Sequence, residues 1–188
     1  MKHVSQSQVQ QPVIEAVPAV TGYQRLTLPC HVDGRGFFAT LWEQPWAATL
    51  GHPFQTDNVY VSANLKAGTL RGMHFQSPPH AQAKLVFCLR GALYDVALDL
   101  RPASPSHLRW QATELSEEKR LGVFIPAGCA HGFVTLRDDT QLLYLIQGPY
   151  VPASAGAVRW DDPCFGIQWP TTAPMLSDRD RHLPDYRP

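Results

Sequence analysis

From Leu70 to Ile146 the chain is cut into a series of short apolar runs, and no helix-period pattern competes with them. The runs are Leu70–Gln76, Lys84–Arg90, residues 92–100, 108–115, 122–125 and 141–146, with turn residues between most of them. Their spacing is roughly the 8–12 residues of an all-β sandwich or barrel. Seventeen prolines in 188 residues are nearly twice the ~5% average. They are distributed rather than clustered, which suits strands joined by turns. Period two is plain in residues 92–100. Ala92, Tyr94, Val96, Leu98 and Leu100 share one face, and Leu93, Asp95, Ala97 and Asp99 share the other. Residues 41–50 form one candidate short helix, and 115–120 a turn or helical fragment.

A chain of 188 residues is long enough for one domain with its own core. Lys+Arg and Asp+Glu number 16 each, for a formal charge of zero. That balance argues against a nucleic-acid binder or a polybasic membrane tether. No apolar run approaches the ~18 residues of a membrane helix. The polar, Gln-rich start lacks the apolar core of a signal peptide. Cys30, Cys88, Cys129 and Cys164 include no CxxC pair. They read as buried or semi-buried thiols in a reducing cytoplasm. Residues 1–20 read as a flexible N-terminal arm and 21–188 as a single domain, with 181–188 a loosely held tail.

Polar residues set into apolar strands are the informative anomalies. In RGMHFQ (71–76) alternation groups Gly72, His74 and Gln76 on one face and Arg71, Met73 and Phe75 on the other. Lys84, one of four lysines, opens the apolar run KLVFCL (84–89). It is either an edge-strand gatekeeper or a cation placed to meet an anion. In IPAGCAHGF (125–133) a Pro-x-Gly-x-x-His turn delivers His131 at the mouth of a barrel. Tyr144 shares a strand face with Leu142 and Ile146, and LSDRD (176–180) is a charged turn unless something recruits it.

These residues resemble a degraded pair of cupin motifs, which normally supply three histidines and a glutamate to a metal. His74 stands at the first histidine and Gln76 at the second. Lys84 takes the place of the glutamate, and Pro126, Gly128 and His131 match the second motif. A protonated lysine cannot coordinate a metal and repels one. The resemblance therefore implies a cupin-type double-stranded β-helix, or jelly-roll barrel, with a few short helices. It also implies a site without metal.

The wider set of stretches resembles the dTDP-4-dehydrorhamnose 3,5-epimerase family. The stretches are DGRGFF (33–38), GTLRGMHFQ (68–76), KLV (84–86), YDVALDLR (94–101), IPAGCAHGF (125–133), WDDP (160–163), IQWP (167–170) and LSDRD (176–180), together with Tyr144 and the Tyr150 of YVP. The resemblance implies a metal-free, cofactor-free epimerase acting at C3 and/or C5 of a nucleoside-diphosphate-linked 4-keto-6-deoxyhexose. His74 is then the base, oriented by Asp180. Tyr144 is the acid on the far side, and Lys84 stabilises the enolate. Arg71, His131, Tyr150 and Asn58 line up with substrate-binding positions, and Asp95 with a partner for His131. The family is dimeric, so Arg35 and Phe38 would complete the neighbour's nucleotide site. Thr40 stands where the family has a thymine-reading Glu, and Asn58 and Tyr60 stand where it often has Gln-x-Asn. The alternatives are a keto-sugar isomerase on the same barrel and a non-catalytic cupin that binds sugar nucleotides.

Overall fold

The computed structural model describes residues 11–187. Its strands are β1 (Val13–Ala16), β2 (Gln24–Thr27), β3 (Cys30–Asp33), β4 (Gly36–Ala39), β5 (Asn58–Asn64), β6 (Leu70–Gln76) and β7 (Lys84–Arg90). They continue with β8 (Ala92–Asp99), β9 (Trp110–Ser116), β10 (Leu121–Ile125), β11 (Cys129–Thr135), β12 (Thr140–Ile146) and β13 (Ala155–Ala157). One sheet runs β1-β2-β10-β7-β12-β5, the other runs β13-β6-β11-β8-β9, and β3 and β4 form a separate hairpin. All named pairings are antiparallel. The fold is thus the all-β sandwich that the strand spacing implies, in the jelly-roll form that the cupin resemblance implies. Among the described residues helical structure is limited to 3-10 turns at Gln44–Leu50 and Pro152–Ser154 and one α-helical turn, α1 (Asp178–Arg181).

Alternation explains the placement of side chains. In β7, Val86 and Cys88 join the core between the sheets, while Leu85 and Phe87 join an outer cluster with Trp46, Leu50 and Phe54. In β8, Leu93 and Ala97 face inward, while Val96 and Leu98 pack outward under Val158 and Phe165. Both faces of the central strands are therefore covered, one by the facing sheet and one by irregular chain.

Three readings of the sequence change. Residues 1–10 of the expected arm lie outside the described residues, but β1 pairs with β2, and Val20 is fully buried. The fold therefore begins well before residue 21. The tail is tied down: the Tyr186 amide donates to Asp162 at 2.6 Å, and Arg159 pairs with Asp185. Cys164 is exposed, because the turn that follows Asp162 carries it outward; Cys88 and Cys129 are buried and Cys30 is half-buried.

Strand β6 breaks its own alternation. His131 is opposite His74 and Phe133 is opposite Arg71, so β6 uses one more residue than β11 over this step. The extra residue is a β-bulge, and it turns Arg71 to the same side as His74. Gly72 makes it possible. Its φ is +143°, and a Cβ there would lie 2.5 Å from the Gly132 Cα. We predict that Gly72→Ala lowers stability by about 1–3 kcal/mol, read from urea unfolding. An unchanged midpoint would contradict this account of the bulge.

Candidate active site

A cavity of about 250 Å³ opens between the two sheets, lined by Tyr60, Ser62, Arg71, His74, Lys84, His131, Phe133, Tyr144 and Ile146. A second chamber, of about 180 Å³, shares His74, Lys84 and Ile146 with it and adds Gln82, Tyr150 and Arg179. His74 thus stands where two recesses meet.

The five-stranded sheet supplies Arg71, His74 and His131. His74 Nε2 lies 2.7 Å from Asp180 Oδ1. Asp180 is buried on α1, and its amide donates to the Ser177 hydroxyl that caps the turn. With Nε2 engaged by the carboxylate, Nδ1 is the nitrogen left to accept a proton. Burial pulls the His74 pKa below its ordinary 6.5, while Asp180 opposes the shift and the Lys84 and Arg179 charges add to it. The ring is therefore neutral at pH 7. The Arg71 guanidinium is steadied by its Nε–H donating to Asn64 Oδ1 at 2.8 Å.

The six-stranded sheet supplies Lys84 and Tyr144. Strand β7 lies between β10 and β12. Lys84 is therefore an inward-facing residue of a central strand, not an edge gatekeeper. Its ammonium donates to the His74 carbonyl at 3.5 Å. Burial lowers its pKa to about 8, with Asp95 holding it up. Tyr144 packs edge-on against His131, with ring centroids 5.9 Å apart. Burial and then Asp95 raise the Tyr144 pKa, so the phenol stays protonated.

At the floor of the cavity His131 Nε2 lies 2.7 Å from Asp95 Oδ2. Both residues are buried. His131 is therefore inside the barrel rather than at its mouth, because it is the third residue of β11 and not part of the turn. The turn itself is closed by Cys129 donating to the Pro126 carbonyl. Asp95 Oδ1 has no hydrogen-bond partner among the described residues.

Other candidate residues lie elsewhere. Asn58 donates to the Gly148 carbonyl and does not line the cavity. Tyr60 and Ser62, on the same face of β5, do line it. Arg35 and Phe38 sit on the β3–β4 hairpin, lining a separate surface recess. Phe38 is 76% exposed. Thr40, just past β4, donates its amide to the Pro29 carbonyl. Gln76 is held by loops: its amide donates to His80 and Pro149, and its carbonyl accepts from Val151. Ser62 and Asn64 belong to none of the sequence motifs, and Phe133 and Arg179 enter only as parts of longer stretches. The period-two spacing of Tyr60, Ser62 and Asn64 was the available signal. Among the described residues no group of three His, Cys, Asp or Glu side chains could hold a metal ion.

The model of the family described as dTDP-4-dehydrorhamnose 3,5-epimerase matches residues 18–187. The chain belongs to the dTDP-4-dehydrorhamnose 3,5-epimerase family. With that family it is an isomerase of the racemase and epimerase class. A 3,5-epimerase from Sinorhizobium fredii is 43% identical over 81% of this chain and 78% of its own length. A family structure from Bacillus anthracis, with TDP and PPi bound, is 36% identical with a TM-score of 0.89; the match covers 93% of this chain and 99% of that one. ChmJ, a 3'-monoepimerase from Streptomyces bikiniensis solved with dTDP-quinovose, is 34% identical with a TM-score of 0.82; the match covers 94% and 87%. The epimerase fold thus holds both double and single epimerases.

Removing His131 would leave the Asp95 carboxylate buried without its only hydrogen-bond partner among the described residues. We predict that His131→Ala costs about 3–5 kcal/mol of stability, measured by urea unfolding. A loss under about 1 kcal/mol would show that the pair is not the anchor argued here.

Proposed function

We propose that the protein epimerises a dTDP-linked 4-keto-6-deoxyhexose at C3 and C5 by proton transfer. The observation that carries the reading is the placement of His74 and Tyr144 on opposite sheets around one cavity. The C4 ketone acidifies the protons at C3 and C5. His74 Nδ1 takes one of them, and the electron pair moves into the C3–C4 or C4–C5 bond to give an enolate. The Lys84 ammonium stabilises the enolate oxygen. The Tyr144 hydroxyl returns a proton to the opposite face of the same carbon, and configuration inverts. Substrate and product have the same oxidation state, so the chemistry calls for no redox cofactor. Lys84, standing at a cupin ligand position, suits an anion better than a metal.

The family supports the substrate class, since relatives are solved with TDP or dTDP-quinovose. In this reading Arg71 and His131 hold the substrate inside the cavity, and Tyr150 does so from the adjoining chamber. The enzyme works as a cytoplasmic homodimer. Its β3–β4 hairpin, with Phe37 and Phe38 exposed, carries Arg35 and Phe38 to the neighbour's nucleotide site.

Two experiments test the mechanism. With dTDP-4-keto-6-deoxyglucose in D2O, His74→Asn should abolish deuterium entry at C3 and C5. Tyr144→Phe should keep deuterium entry while losing inverted product. Full exchange in His74→Asn removes His74 as the base, and equal loss of both readouts in Tyr144→Phe removes Tyr144 as the acid.

The pH profile follows from the same groups. Neutral His74 and charged Lys84 are both required. The acid limb of kcat/KM should therefore fall below 6.5 and the alkaline limb near 8. Asp95→Asn removes the carboxylate that raises Lys84, so the alkaline limb should move to lower pH. An alkaline limb in the ordinary lysine range would contradict the role given to Lys84.

A further inference from the structure

The mechanism uses Asp180, but α1 is a single turn, too short to hold its own position. Something else must fix the carboxylate against His74. The WDDP stretch (160–163) has no part in the cavity, yet Asp162 is 3% exposed. Its Oδ1 accepts from the Cys164 amide at 2.8 Å, which closes its own turn. Its Oδ2 accepts from the Tyr186 amide at 2.6 Å. The Tyr186 ring packs on Phe165, with centroids 5.2 Å apart. Arg159 bridges Asp161 and Asp185 on the outer side of the same junction.

The chain around α1 is therefore pinned on both sides. Upstream, Met175 bridges to Thr69 at the start of β6, giving and taking hydrogen bonds of 2.8 and 2.9 Å with Gly68 and Leu70. Downstream, Tyr186 is held by Asp162. The segment carrying Asp162 is itself fastened to β6. Ala157 pairs with His74, and Val158 and Met73 exchange backbone hydrogen bonds of 3.0 and 3.1 Å. Both members of the dyad thus hang from one strand through one closed loop of chain.

We propose that Asp162, through the Tyr186 amide, is a positioning residue that holds Asp180 in register with His74. This rests on the His74–Asp180 reading above. A carboxylate displaced by about 1 Å costs on the order of 100-fold in rate, so loosening the clamp acts on turnover and not on substrate affinity.

The test is a double-mutant cycle on the full-length chain. Tyr186→Pro removes the donated amide hydrogen and leaves Asp162's own turn intact; Asp162→Ala serves as the second variant. Each should lower kcat for deuterium exchange by about 10- to 100-fold with KM little changed. In an Asp180→Asn background the same changes should cost less than about twofold, because the group they position is already gone. Equal losses in both backgrounds, a loss in KM alone, or no loss in kcat would overturn the proposal. A wild-type kcat for Asp180→Asn alone marks a different failure. It would overturn the dyad reading itself, and the clamp's role with it.

Discussion

A carboxylate sealed inside an apolar barrel must be matched by donors and positive charge, and Asp95 is such a group at the centre of this one. It is fully buried, lies 2.7 Å from His131, and has one oxygen without a hydrogen-bond partner among the described residues. Three side chains that face the cavity, His131, Lys84 and Tyr144, interact with it. Asp95 supports the Lys84 ammonium against the pull of burial. It also adds to the burial that keeps the Tyr144 phenol protonated. Asp95 therefore acts on two of the groups assigned to the chemistry, at each of them second to burial.

The second constraint is geometric. Inversion at carbon needs a base and an acid on opposite faces of the ring, and a sandwich of two sheets offers two walls. His74 belongs to one sheet, and Tyr144 and Lys84 belong to the other. The bulge at Gly72 adds Arg71 to the wall of His74, a position that regular alternation would deny it. Lys84 stands where the cupin motif would place its carboxylate, and a cation there suits an anion better than a metal.

Much of this was legible in the residues. The apolar runs of the sequence coincide with the bounds of β6 and β7, and the two faces of β8 separate as alternation requires. His74, Lys84, His131, Tyr144 and Asp180 all stand out in the sequence as polar anomalies or motif positions, and the cavity brings the first four together with Asp180 behind His74. The misses have physical causes. β7 is apolar on both faces because the facing sheet covers one and irregular chain the other, and Lys84 at its start resembles an edge residue although β10 and β12 flank the strand. Arg71 changes face through a bulge, which breaks the period that strand reading relies on. Strands β3, β4 and β5 leave Val32, Phe37, Val59 and Val61 exposed, so their patterns lack a buried face. Asn58 shares a face with Tyr60 and Ser62 but pairs at the strand's end, where Gly148 takes its amide. The tail reads as loose because its anchor, Asp162, lies distant in sequence.

The most direct test of the opposed-wall account is a crystal structure with dTDP-6-deoxyglucose, whose C4 hydroxyl prevents enolate formation. The account predicts the sugar ring inside the cavity. His74 Nδ1 should approach C3 or C5 from one face, and the Tyr144 hydroxyl should approach from the other, each within about 3.5 Å. Both groups on the same face of the ring, or a sugar bound outside the cavity, would contradict it.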